Sequence, residues 1–204
     1  MMNGEQTTNN EQRIKNDIKN IIKKSIDLKS QLLEGEYFTK IIEIASNIIK
    51  NSFKAGGKVL FCGNGGSAAD AQHLAAELSG RFYLDRPPLF AEALHVNSSF
   101  LTAVANDYSF DDVYARMVQA KGREGDVLVA ISTSGNSANI VRALQQAQEQ
   151  KMFTIGMTGK TGGEMAEYCD VLLNVPSTDT PRIQECHILI GHIICEIVER
   201  EMFA

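Results

Sequence analysis

Val59–Arg81, VLFCGNGGSAADAQHLAAELSGR, reads as a strand, a glycine-rich turn and a helix. The run Val59–Cys62 is short, apolar and β-prone, with glycines on either side. Gly63, Gly65 and Gly66 allow a sharp turn and let a ligand come close to bare N–H groups. Ser67 has the chemistry of an N-cap for a helix starting near Ala68. Free N–H groups and the positive end of the helix dipole then face one spot, which suits a phosphate at Asn64–Ser67. Further along the same helix His73 and Glu77 share a face, roughly 6 Å apart along the axis.

Working outward, strand and helix patterns alternate. Leu89–Val96 is predicted as a second strand, Ser98–Asn106 as a short helix, and Asp111–Lys121 as another. Val127–Ile131 is an uninterrupted apolar run of the kind found in central parallel strands. The polar loop Ser132-Thr133-Ser134-Gly135-Asn136-Ser137 follows it, and Asn136 or Ser137 caps a helix to about Gln150. Phe153–Met157 and Val171–Val175 complete five strands, and a last helix runs from about Pro181 nearly to the end. This alternation implies a doubly wound, five-stranded parallel α/β sheet. Ligands bind such sheets at the carboxyl ends of strands, where the strand order changes direction. Both the glycine turn and the Ser/Thr loop belong on that edge.

Two helical patterns precede the first strand and belong to no βα unit. Apolar residues recur at Ile14, Ile18, Ile21, Ile22, Ile26, Leu32 and Leu33, then from Phe38 to Phe53, with a stop at Gly56-Gly57. Their apolar faces need a partner, either this chain's own sheet or another copy. Residues 1–10 are polar and predicted to be disordered, and residues 11–204 to form a single domain with helices over 11–55.

The chain of 204 residues is 44% hydrophobic and 22% charged, enough for a real core. A net charge of −5 argues against a nucleic-acid surface. There is no signal-peptide pattern and no uncharged run of membrane-spanning length. Cys62, Cys169, Cys186 and Cys195 show no metal or disulfide spacing and read as buried reduced thiols, which suits a cytoplasmic protein.

Three groups of residues carry candidate chemistry. Ser132–Ser137 offers hydroxyls and loop N–H groups that can hold a phosphate without a cation, although a polar turn needs no ligand. There is no GxxxxGK[ST] pattern, and Gly63, Gly65 and Gly66 do not have dinucleotide spacing. His73 and Glu77 fit a surface ion pair, a proton-transfer pair or two metal ligands. Gln184 and His192 lie two turns apart on the apolar last helix, where buried polar groups must find partners.

VLFCGNGGSAADAQHLAAELSGR, ISTSGNSANI and RIQECHILIGH, in this order, closely resemble the sugar isomerase (SIS) family and, within it, the phosphoheptose isomerases. The likeness covers nearly the whole chain after the first ten residues. It implies the flavodoxin-like SIS fold, and a homotetramer with the N-terminal helices in a bundle and active sites between subunits. The implied reaction is aldose–ketose isomerisation of sedoheptulose 7-phosphate to D-glycero-D-manno-heptose 7-phosphate, the first step of ADP-heptose supply for lipopolysaccharide or capsule. Substrate-binding positions then fall on Asn64, Gly65, Gly66, Glu77, Asn106, Asp107, Ser132, Thr133, Ser134, Ser137 and Gln184, beside Ser67 from the turn itself. The implied acid–base pair is Glu77 and His192. The implied ligands of one Zn2+ per subunit are His73, Glu77, Gln184 and His192. Two alternatives remain open: a non-catalytic SIS tetramer that binds the replication initiator DnaA, and an isomerase or sensor for another sugar phosphate. An intact set of four ligand types favours the enzyme, with a small sugar phosphate as partner and neither nucleic acid nor membrane.

Overall fold

The computed structural model describes residues 4–204, with side chains described from Asn10 onward. Helices α1 (Gly4–Glu34) and α2 (Glu36–Lys54) come first. Then follow β1 (Val59–Gly63), α3 (Gly66–Ser79), β2 (Ala91–Ala93), α4 (Ser98–Asp107), α5 (Val113–Lys121) and β3 (Val127–Ser132). The chain ends with α6 (Ala138–Glu149), β4 (Phe153–Thr158), β5 (Val171–Asn174) and α7 (Thr180–Phe203). All strand pairs are parallel and the order is β2-β1-β3-β4-β5.

That order places the functional edge. From β1 the chain crosses to β2 on one side, then returns past β1 to β3 on the other. The change of direction opens a crevice between the carboxyl ends of β1 and β3, where a ligand is expected. Gly63 pairs in register with Ile131 there. The glycine turn after β1 and the Ser/Thr loop after β3 are therefore neighbours.

Every residue of β1 and β3 is buried. Strand alternation sends Val59, Phe61, Val127, Val129 and Ile131 to one face, against α1, α2, α3 and α7. Leu60, Cys62, Leu128 and Ala130 go to the other face, against α4, α5 and α6. Each fully buried Leu, Ile or Val contributes about 1.5–3 kcal/mol relative to exposure. Continuous burial on both faces is why these strands read as unbroken apolar runs. Helices α3 and α7 lie side by side on the first face. They come close because Gly191 has no side chain: a Cβ there would sit 2.5 Å from both Cδ atoms of buried Leu74.

Several boundaries depart from the sequence reading. α1 begins at Gly4, inside the stretch expected to be disordered; residues 1–3 of that stretch lie outside the described residues. The polar residues from Glu5 to Asn10 include no proline, so a helix nucleated on the Ile-rich pattern propagates back through them. The second strand shortens from Leu89–Val96 to Ala91–Ala93, because it is an edge strand paired only with β1. Residues 110–112 form a 3-10 turn before α5. Ser67 is not the N-cap of α3. Gly65, with φ of +55°, takes that place, and Ser67 is buried in the first turn, its carbonyl packed on Gly63. All four cysteines are free, three buried and Cys169 partly so. No helix among the described residues is long and apolar enough to cross a membrane.

Candidate active site

The parallel packing of α3 on α7 brings together three residues that the chain separates widely. The Nε2 atoms of His73 and His192 are 2.8 Å apart, and Glu77 Oε1 lies 3.3 Å from His73 Nε2. One ligand atom from each of His73, Glu77 and His192 fits within 4.8 Å of the other two. Helical spacing puts His73 and Glu77 on one face of α3. Gly191 lets the neighbouring His192 reach that face.

Two imidazole nitrogens and a carboxylate oxygen converging at the surface form a donor set suited to zinc. The pair of Nε2 atoms supports the fit. Two neutral imidazoles meeting at that distance need one ring to donate, whereas a shared cation would accept lone pairs from both. Gln184 lies at the other end of the α3 face, with its amide over Gly66: a Cβ at Gly66 would sit 2.5 Å from Gln184 Nε2. Asp70, between these two ends, has one buried carboxylate oxygen without a partner. Burial pushes its carboxyl above the usual range, and the nearby His73 and His192 only partly offset this. No motif in the sequence singles out Asp70, although its place between Gly66 and His73 on one helical face is legible there.

The glycine turn is braced rather than bare. Asn64 and Asn139 exchange two side-chain hydrogen bonds, at 2.9 and 3.0 Å, and so join the turn to the first turn of α6. Tyr114 donates its hydroxyl proton to the Gly63 carbonyl. The N–H groups of Ser67, Ala68 and Ala69 already donate to the carbonyls of Asn64 and Gly65. Fewer donors remain for a ligand than an uncapped helix start has. Nothing local in the sequence marks Asn139 or Tyr114, which reach the turn only through the fold.

The Ser/Thr loop is held from both sides. Ser132 Oγ lies 3.2 Å from Ser137 Oγ and accepts from the Gly135 N–H. The Gly159 N–H donates to the Thr133 carbonyl, and the Met165 N–H to the Gly135 carbonyl. Gly135 has φ of +71°, and a Cβ there would meet the Gly162 carbonyl oxygen at 2.0 Å. Ser134 is exposed, and Thr133 and Ser137 partly so. Asn106 and Asp107, at the end of α4, are exposed and hydrogen-bonded to each other. In the single chain no hydrogen bond joins them to the rest of the site among the described residues.

The SIS domain family model matches residues 22–159, two of the three quoted motifs included. The phosphoheptose isomerase of Clostridium acetobutylicum is 54% identical over 191 residues, 93% of this chain and 97% of that one. This chain belongs to the SIS family, among its phosphoheptose isomerases. The Rhodospirillum rubrum phosphoheptose isomerase is 59% identical over 155 residues, covering 76% of this chain and 82% of its own length. The structure of phosphoheptose isomerase GmhA from Neisseria gonorrhoeae superposes with a TM-score of 0.86 at 43% identity, over 92% of this chain and 99% of that one. With relatives this similar along nearly their whole length, the chain is an enzyme of the isomerase class.

Proposed function

We propose that this isomerase interconverts sedoheptulose 7-phosphate and D-glycero-D-manno-heptose 7-phosphate, feeding ADP-heptose supply, and that it does so at the His73, Glu77 and His192 cluster. The observation that carries the reading is the meeting of a carboxylate and two imidazoles where α3, the helix that starts at the glycine turn, packs on α7. Aldose–ketose isomerisation moves one proton between C1 and C2 and another between O1 and O2. A carboxylate and an imidazole within reach of the same two carbons can divide these transfers through a cis-enediol. Glu77 and His192 take those roles.

The phosphate is far from the reacting carbons in a seven-carbon sugar. Ser132, Thr133, Ser134 and Ser137, with Asn64, Gly65 and Gly66, hold that end. Binding energy gained there positions C1 and C2. Gln184 and Ser67 border the glycine turn, and Asn106 and Asp107 supply further polar contacts to the sugar. His73, Glu77 and His192 would hold one zinc ion, and Gln184, whose amide lies over Gly66, would have to swing toward them to serve as the fourth donor. When bound, zinc would supply Lewis-acid polarisation of the carbonyl or hydroxyl oxygen.

We further propose a homotetramer with α1 in an intersubunit bundle. Ile14, Ile18, Ile21, Ile22 and Ile26 are 48–57% exposed along α1 in the single chain. An apolar stripe of this length calls for a partner. The His73 side chain is 49% exposed, which leaves room for a second copy to close the site.

The deciding experiment incubates purified protein with sedoheptulose 7-phosphate, with and without a chelator. Appearance of the aldose phosphate is expected. Its absence in metal-replete protein would overturn the assignment.

A further inference from the structure

A buried ion pair lies beyond the cluster and takes no part in the chemistry assigned above. The side chains of Arg86 and Glu199 are each 2% exposed, with Arg86 Nε 2.8 Å from Glu199 Oε1. Buried pairs of this kind are poor stabilisers unless every remaining donor and acceptor is satisfied. Here they are. Glu199 also accepts the backbone N–H groups of Phe82, Tyr83 and Leu84 at 3.0, 2.7 and 2.9 Å. Arg86 donates to the carbonyls of Leu78 at 2.9 Å and Glu77 at 3.0 Å, and reaches those of Gly80 and Pro87. The pair thus ties three segments into one knot: the last turn of α3, the strap 81–86, and α7.

Two of those segments carry the acid–base groups. One of the carbonyls held by Arg86 belongs to Glu77 itself. Glu199 lies seven residues after His192 on α7, two helical turns away on the same face. Along that face the strap lays Phe82 against His192, with ring centroids 5.7 Å apart and planes tilted by 49°. This is within the range of a favourable aromatic pair.

We propose that the Arg86–Glu199 clamp and Phe82 form a positioning device for the acid–base pair, with Phe82 fixing the His192 ring and Arg86 fixing the backbone of Glu77. The inference rests on the isomerase reading of Glu77 and His192. Proton transfer between adjacent carbons demands tight placement, and a shift of about 1 Å can cost about 100-fold in rate. Phe82, Arg86 and Glu199 touch no reacting atom and are positioning residues.

The test uses Phe82→Leu, Phe82→Tyr and Arg86→Met in the full chain, with two readouts. The first is kcat and KM on sedoheptulose 7-phosphate. Phe82→Leu and Arg86→Met are expected to lower kcat about 10- to 100-fold while KM stays within about twofold, and Phe82→Tyr to retain kcat. The second is the Cε1–Hε1 NMR signal of His192 in histidine-labelled protein, assigned by its loss in His192→Gln. It is expected to move in Arg86→Met, which does not touch His192, as well as in Phe82→Leu. The NMR readout needs no turnover, so it decides the positioning claim even if the wild-type chain proves inactive on this sugar. Wild-type kcat in Phe82→Leu, or an unmoved His192 signal in folded Arg86→Met, overturns the proposal. If Arg86→Met does not fold, Phe82→Leu alone decides: parallel losses of kcat and folded fraction overturn it too.

Discussion

His73 and His192 lie 119 residues apart in the chain, yet their Nε2 atoms meet at 2.8 Å where α3 packs on α7. The contact is the centre of the proposed metal and acid–base site. Purified wild-type protein is expected to carry about one zinc per chain by elemental analysis, and His73→Ala to carry almost none. Glu77→Gln and His192→Gln should lose turnover by about 1,000-fold or more with the fold intact by circular dichroism. Full activity in either would remove the acid–base assignment, and metal-free, active wild-type protein would remove the zinc.

The approach of the two helices depends on Gly191. Gly191→Ala puts a methyl group 2.5 Å from the side chain of Leu74, which is buried and must shift to make room. The expected cost is about 1–3 kcal/mol in chemical denaturation, with a fall in kcat as His192 moves away from His73. A second change, Leu74→Ala, should recover part of the activity. Wild-type kcat in Gly191→Ala would show that helix spacing does not set the site.

Gly135 tests the phosphate loop. Its positive φ and the Gly162 carbonyl leave no space for a side chain. Gly135→Ala should raise KM for the sugar phosphate about tenfold, or roughly 1.4 kcal/mol of lost binding, with a smaller effect on kcat. An unchanged KM would separate the Ser/Thr loop from the phosphate.

His187 gives a pH dependence. It is fully buried, its Nε2 lies 3.2 Å from the Thr158 carbonyl, and burial lowers its pKa to about 4. An unfolded histidine titrates near 6.5. Between those values the unfolded chain holds the proton and the folded chain does not, so stability falls as pH drops from about 6.5 to about 4. The total loss from this residue is roughly 3 kcal/mol. Unfolding free energies measured across that window should show a slope that weakens in His187→Gln. An identical slope would mean that other groups govern it. Glu199 acts lower down. Burial alone would raise its carboxyl pKa, but the N–H groups of Leu84, Phe82 and Tyr83 and the Arg86 guanidinium hold it below the usual value. Its contribution is complete above the ordinary carboxylate range and is lost as pH falls through its own lowered pKa.

The isoleucine stripe on α1 is the test of assembly. Ile18→Glu combined with Ile22→Glu should reduce the mass in light scattering from a tetramer to a smaller species, because burying two carboxylates in an apolar seam is costly. Persistence of the tetramer would place α1 outside the interface.

The sequence by itself determined the sheet and its edge. The runs at Val59 and Val127 suit strands buried on both faces, those at Phe153 and Val171 complete the sheet with less complete burial, and the breaks after Gly63 and Ser132 are local chemistry. It also supplied His73 and Glu77 as a pair, since residues four apart on a helix share a face. Tertiary structure alone decided that Gly65 rather than Ser67 starts α3, that Asn139 and Tyr114 brace the glycine turn, and that Phe82 reaches His192 through a strap tied to Glu199. None of these has a periodic signature. Each depends on how closely two distant segments approach, and that distance is set by packing, as at Gly191 against Leu74, rather than by the residues of either segment alone.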